Sequence, residues 1–396
     1  MRKLKTHTLL YLALIFSLFL HTNTTFAATD LGFMNGVDIS ALTALENDGA
    51  VYRDTDGTPG DPIQILSNHG INSYRLRLFV NPTGNNGLDI NNLDYTINLA
   101  KRIKAAGGNL LLDLHYSDTW ADPGHQTKPA AWQNLNDQQL ITQVQNYSNH
   151  VIDTMKSQGV LPDAVQIGNE ISNGILWPNG QLWQDNSNRE LEFDRLASLL
   201  NAGIQGVKEA AGNSTPKIML HLAKADNWWV TETIFSELEA RNVDYDMMGF
   251  SFYPRYSGTI ASVTENLTNA VNKFNKPAVL AEIGFSYIDS PWEPNQENYE
   301  HEMSIEGQRQ FTADVMNMME QLPNNMGQGV YWWHAAATPT NHELAWNNGR
   351  LGLFDQNGVI LPAATELGRQ IPVPEPTSVG LLVGIATLAA SRRRFI

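Results

Sequence analysis

Eight short apolar runs, separated by longer amphipathic stretches, set the strongest constraint on how this chain folds. The runs are Phe33–Asp38, Ser73–Phe79, Asn109–His115, Ala164–Asn169, Lys217–Leu222, Met247–Tyr253, Pro277–Ile283 and Gly329–His334. Each has the length of a buried strand and is rich in Val, Ile, Leu or aromatic residues. The stretches between them carry helical stripes. Leu93, Ile97, Ala100 and Ile103 form one, and Phe193, Leu196, Leu200, Ile204 and Val207 form another. Gly107-Gly108 and Gly212-Asn213 close those helices with residues that tolerate left-handed backbone. Strand then helix, repeated eight times without a second composition regime, predicts an α/β fold, a single (β/α)8 TIM barrel.

The two ends of the chain read as processing segments. Arg2, Lys3 and Lys5 precede an almost wholly apolar stretch from Leu9 to Leu20, and Phe26-Ala27-Ala28 follows. That order is expected of a secretory signal peptide over residues 1–27. At the other end, Val373-Pro374-Glu375-Pro376 leads into an apolar run from Val379 to Ala390 and then Arg392-Arg393-Arg394. As a helix the run would reach ~18 Å, short of the ~30 Å hydrocarbon core. Residues 372–396 resemble a PEP-CTERM sorting signal of Gram-negative bacteria; the alternative is a simple C-terminal anchor. Both imply export to the cell surface, with transient membrane association through the tail. The catalytic body would then be residues 28–371, a length suited to one large barrel or two small domains.

The chain has no cysteine, which excludes disulfides and thiolate metal sites. Its net charge of −15 becomes about −20 once the six basic residues and Glu375 of the tails are set aside. Such a charge argues against nucleic acid and against anionic polymers as partners. A neutral polysaccharide fits better, and the ten Trp and twelve Tyr offer faces on which sugars stack.

A TIM barrel carries its active residues where strands end at the C-terminal face. Those positions here are polar: Asp38, Arg75, Arg77, Asp113, His115, Asn169, Glu170, His221, Tyr253, Glu282, Trp332 and His334. Glu170 closes Val165-Gln166-Ile167-Gly168-Asn169-Glu170, and Glu282 closes Ala278-Val279-Leu280-Ala281-Glu282. Two carboxyl groups across one mouth are what glycosidic cleavage needs, one as acid and one as nucleophile or base. Either glutamate alone could instead be a strand-end ion-pair partner.

Longer stretches carry a family resemblance from about residue 32 to 370. They are Tyr74-Arg75-Leu76-Arg77 to Asn81-Pro82, the run Asp113-Leu114-His115-Tyr116-Ser117-Asp118-Thr119-Trp120-Ala121-Asp122-Pro123, Gly168-Asn169-Glu170-Ile171 to Leu176-Trp177-Pro178, and Asp246 to Pro254. These resemble the family 53 endo-β-1,4-galactanases, retaining enzymes of the largest clan of barrel glycosidases. The resemblance implies Glu170 as acid/base and Glu282 as nucleophile. It implies Asn169 at the sugar 2-hydroxyl, Arg75 and Tyr253 at Glu282, and Trp332 as the floor beneath the sugar. Asp113 is expected as a supporting residue, and His115, Asp118 and Trp120 as walls binding galactose hydroxyls. No cofactor is implied, and a monomer is expected.

The sequence departs from the family where Glu282 is followed by Ile283 instead of Thr. It also departs where Tyr331-Trp332-Trp333-His334 stands for Tyr-Trp-Glu-Pro, and where Lys224 follows the fifth strand. The acidic stretch from Asp289 to Glu302, where some bacterial members hold calcium, lacks the tight spacing of an oxygen-ligand loop, so no metal is expected. Rival readings are another β-1,4-glycanase acting on mannan, xylan or glucan, and a glycan-binding surface protein without hydrolysis.

Overall fold

The computed structural model describes residues 31–84, 89–184, 188–291, 293, 296–339 and 346–370. The expected signal segment and sorting tail lie outside these residues. Eight parallel strands close into a barrel: β1 Met34–Asp38, β2 Ser73–Leu78, β3 Asn109–Leu114, β4 Ala164–Ile167, β5 Lys217–Leu222, β6 Met247–Phe252, β7 Ala278–Ile283 and β8 Gly327–Trp332. Each pairs with its sequence neighbours, and β8 pairs with β1. An outer helix follows each strand: α1 Pro62–Asn68, α2 Leu93–Ala105, α3 Asp137–Ser157, α4 Arg189–Ala211, α5 Trp228–Ala240, α6 Ile260–Phe274, α7 Ile305–Glu320 and α8 Pro362–Leu367, with short extra helices Leu42–Asn47 after β1 and Pro254–Ser257 after β6. The TIM barrel expected from the apolar rhythm is the observed fold.

Local chemistry explains the helices. The α3 start is a capping box, in which Asn136 accepts from the Gln139 N–H and Gln139 returns a bond to Asn136. Helix α2 buries Ile97, Ala100 and Ile103 of the predicted stripe and half-buries Leu93, and Gly107 turns the chain at φ 78°.

The barrel interior is built in two layers. Met34, Leu111, Ala164, Met219, Met247, Val279, Ala281 and Tyr331 form an apolar plug. Gly36 makes room for the Tyr331 ring: a β-carbon there would sit 2.3 Å from a ring carbon. Side chains of a strand alternate between faces, so the inward positions nearer the C-terminal ends of β1 to β6 include Asp38, Arg75, Asp113, Gln166, His221 and Ser251. All six are fully buried. An apolar base under a polar upper layer fixes which end of the barrel does chemistry.

Strand β7 breaks the alternation. Phe250 pairs with Leu280 but Ser251 with Glu282, and on the other side Val330 pairs with Leu280 but Trp332 with Ile283. This one-residue bulge turns both Ala281 and Glu282 inward, whereas strict alternation would send Glu282 into the helix layer.

Candidate active site

Glu170 reaches the mouth through a backbone irregularity. Strand β4 ends at Ile167, two residues short of the expected end, because Gly168 takes φ 80°. Glu170 itself has φ 48°, ψ 51°, a left-handed conformation that costs about 1–3 kcal/mol for a non-glycine residue. Ser251 Oγ donates to its Oε1 at 2.6 Å. The rest of the carboxyl keeps partial exposure to the cleft.

Glu282 is 5% exposed. Tyr253 donates its hydroxyl to Oε2 at 2.9 Å, and Arg75 Nη2 stands 3.0 Å from Oε1. That second contact is a charge contact and not a hydrogen bond, since Oε1 has no donor with hydrogen-bond geometry among the described residues. The hydrogens of Arg75 go elsewhere: Nη2 to Asp113 Oδ2 and Asn169 Oδ1, both at 2.8 Å, Nη1 to Asp38 Oδ2 at 3.0 Å and Nε to Gln166 Oε1 at 3.2 Å. The expected grip of Arg75 on Glu282 is therefore single-pointed.

These surroundings separate the two carboxyl groups. Burial raises Glu170, and the negative charge of Glu282 raises it further, with Ser251 opposing. Burial also raises Glu282, but Arg75 and the Tyr253 hydroxyl pull it back. The cation and the phenol thus favour the charged form of Glu282, whereas at Glu170 the charge of Glu282 adds to burial in favouring the protonated form.

The family is decided by comparison with known proteins. The model for glycosyl hydrolase family 53 matches residues 34–367. The chain belongs to that family. It is a glycosidase, and it is similar to the arabinogalactan endo-β-1,4-galactanase of Thermothelomyces thermophilus, 34% identical over 84% of this chain and 98% of that one. It is also similar to a probable arabinogalactan endo-β-1,4-galactanase A of Neosartorya fischeri, 36% identical over 76% and 83%. Among solved structures, the catalytic domain of a family 53 enzyme from Ignisphaera aggregans superposes with a TM-score of 0.77 at 30% identity, covering 86% of this chain and 97% of that one.

In this family 53 chain the other expected site residues take varied places. Asn169 is clamped: its Oδ1 accepts from Arg75, and its Nδ2 donates to the Ala121 carbonyl at 2.8 Å. Asp113 lies fully buried beneath the glutamates; burial alone would raise its carboxyl, but Arg75 and His115 outweigh it and hold the group low. His115 is 1% exposed, takes the Ala121 N–H on Nδ1 and turns Nε2 to within 2.9 Å of Asp113. It is a brace under the rim and not the expected wall, because both ring nitrogens face protein. Asp118 likewise accepts the backbone N–H groups of Asn81 and Ala130 at 2.9 and 2.8 Å, tying three loop segments together. Trp120 is partly exposed and stacks on the Arg77 guanidinium at 4.0 Å.

Trp332 requires a correction. It pairs with Val37 on the outward face of the barrel, is fully buried, contacts Phe311 of α7 and donates Nε1–H to the Leu351 carbonyl at 2.7 Å. It cannot be a sugar floor. Tyr331 points inward, so alternation sends Trp332 out and Trp333 in. Trp333 lies within 5.6 Å of Arg75 and 5.5 Å of Arg77 and stacks on His334 at 4.4 Å. His334 is hydrogen-bonded through Nε2 to Arg77 Nη1 at 3.0 Å.

Sequence reasoning also passed over Ser251 and left His221 without a role. The signal for Ser251 was present: it stands two residues before Tyr253 and so shares its face. No group of three or more acidic or histidine side chains placed to hold a metal occurs among the described residues.

Proposed function

We propose that this family 53 glycosidase is a retaining endo-β-1,4-galactanase acting on galactan and type I arabinogalactan. The observation that carries the reading is the unequal treatment of Glu170 and Glu282, with a cation and a phenol at one carboxyl group and neither at the other. Glu282 attacks the anomeric carbon and forms a galactosyl ester while Glu170 protonates the departing oxygen. Glu170 then takes a proton from water, which releases the sugar with its configuration retained. Asn169 stands beside Glu170 to meet the 2-hydroxyl, and Trp333 supplies the apolar surface under the ring. The names of the fungal relatives support galactan as the substrate.

Linear galactan, mannan, xylan and glucan offered to the purified protein test the substrate. Fresh product examined by NMR tests the stereochemistry, and azide added to Glu282→Ala should yield the α-galactosyl azide. Cleavage of another glycan would replace the substrate, an α-configured first product would replace the mechanism, and binding without new reducing ends would favour a glycan-binding protein. We further propose export from a Gram-negative cell as a monomer, with residues 1–27 removed and the tail held briefly in the membrane. The mature termini read by mass spectrometry, and the mass in solution, test this.

A further inference from the structure

We propose that His221 is a positioning residue that, through Ser251, directs the acid proton of Glu170 onto the oxygen facing the cleft. The inference rests on the reading of Glu170 as the acid. A general acid is useful only when its proton sits on the oxygen nearest the leaving group, and a carboxyl group has two oxygens to choose from.

The atoms that decide form a chain. His221 Nε2 lies 2.9 Å from Ser251 Oγ, which lies 2.6 Å from Glu170 Oε1. A serine hydroxyl has one hydrogen to donate. If His221 carries its proton on Nε2, that proton goes to Ser251 Oγ and the serine hydrogen goes to Glu170 Oε1. An Oε1 that accepts cannot also present the proton, so the acid proton stays on Oε2, toward the open side. If His221 carries its proton on Nδ1, the chain reverses. Ser251 then donates to Nε2, and Glu170 must turn its proton inward on Oε1, away from the bond to be cut.

The surroundings of Nδ1 choose between these states. It faces Gln166 Nε2 at 3.1 Å and Asn169 Oδ1 at 3.0 Å, one donor and one acceptor. The Gln166 amide is oriented by charge, since its Oε1 takes Arg75 Nε and its Nε2 gives one hydrogen to Asp113 Oδ1 at 2.7 Å. Its second hydrogen is shared among His221 Nδ1, Asn169 Oδ1 at 3.0 Å and the Gly168 carbonyl at 3.1 Å, and Asn169 Oδ1 already accepts from Arg75 at 2.8 Å, so it has no need of a further donor from Nδ1. The ring is fully buried and neutral: burial and then Arg75 hold it well below the ordinary histidine range. A proton on Nε2 serves Ser251 Oγ and leaves Nδ1 as an acceptor facing the Gln166 amide, without adding a third donor to Asn169 Oδ1. Other charged groups acting on these residues are Asp113 and His115 at His221, and Glu282, Asp122 and Arg75 at Glu170.

The test compares kcat/KM on linear galactan, whose leaving group needs a proton, with an aryl β-galactobioside whose dinitrophenolate departs without one. Ser251→Ala and His221→Leu should lose roughly tenfold to hundredfold on galactan, part of the acid's usual contribution, and far less on the aryl glycoside. His221→Gln, whose amide can donate to Ser251, should recover most of the galactan activity. Ser251→Ala should also move the alkaline limb of the pH profile upward, because it removes a donor that lowers Glu170. Equal losses on both substrates, an unmoved limb, or His221→Gln as poor as His221→Leu would overturn the proposal. Glu170→Gln serves as the reference. If it shows no leaving-group dependence, Glu170 is not the acid; if it does and the other variants do not, only the role of His221 fails.

Discussion

Arg75 stands 3.0 Å from Glu282 yet spends its hydrogen bonds on Asp38, Asp113, Asn169 and Gln166. The guanidinium therefore acts on the glutamate as a nearby charge, held in place by two other carboxylates and two amides. It is a cross-brace between four strands as much as a partner of Glu282.

Removing that brace should harm folding and catalysis together. Arg75→Ala leaves Asp113 buried without its cation and Asp38 with only Arg77 at 3.8 Å, a loss of about 3–5 kcal/mol. Arg75→Lys keeps the charge but cannot serve four acceptors from one planar fork. Both variants should melt lower than wild type, with Lys intermediate, and both should cut galactan more slowly. Calorimetry and kcat check this.

Glu170→Gln should raise stability at alkaline pH while abolishing acid catalysis. A raised carboxyl means that the folded protein holds its proton after the unfolded chain has released it. Wild type therefore loses stability as pH climbs from the ordinary value of 4.5 through the raised one. Glutamine titrates nowhere, so the advantage of the variant should be absent near pH 4 and grow toward pH 8. Melting curves at both ends of that range decide.

Tyr253→Phe should shift the acid limb of kcat/KM to higher pH. The phenol hydrogen bond favours the ionised form of Glu282, so deleting it raises the carboxyl and leaves less nucleophile at low pH. The alkaline limb, set by Glu170, should move less.

The two neighbouring tryptophans should separate cleanly. Trp332→Ala empties a buried site behind β8 and should cost about 3–5 kcal/mol of stability, with the folded fraction retaining activity. Trp333→Ala should raise KM or lower kcat on galactan with a smaller change in melting temperature. If the two outcomes are exchanged, the assignment of inward and outward faces is wrong.

Much of this site was legible beforehand because its parts are local. Strand-end placement pointed to Glu170 and Glu282, and the two-residue period put Arg75 and Arg77 on one face. The same period, applied from Tyr331, would have separated Trp333 from Trp332. His115 and Asp118 were harder. A histidine or aspartate in a loop reads the same whether it meets a sugar or a backbone N–H, and only the neighbouring loops settle which.

Apolar periodicity by itself determined the barrel and the end of it that carries chemistry, since a period of two or of 3.6 is written in consecutive residues. The inward turn of Glu282 was decided by the tertiary structure alone. Its bulge exists because β7 must match β6 and β8 at once in a closed ring, and that register is a property of three strands far apart in the chain. The direction of the Arg75 hydrogen bonds follows in the same way, because acceptors on three other strands and the turn after β4 compete for one guanidinium.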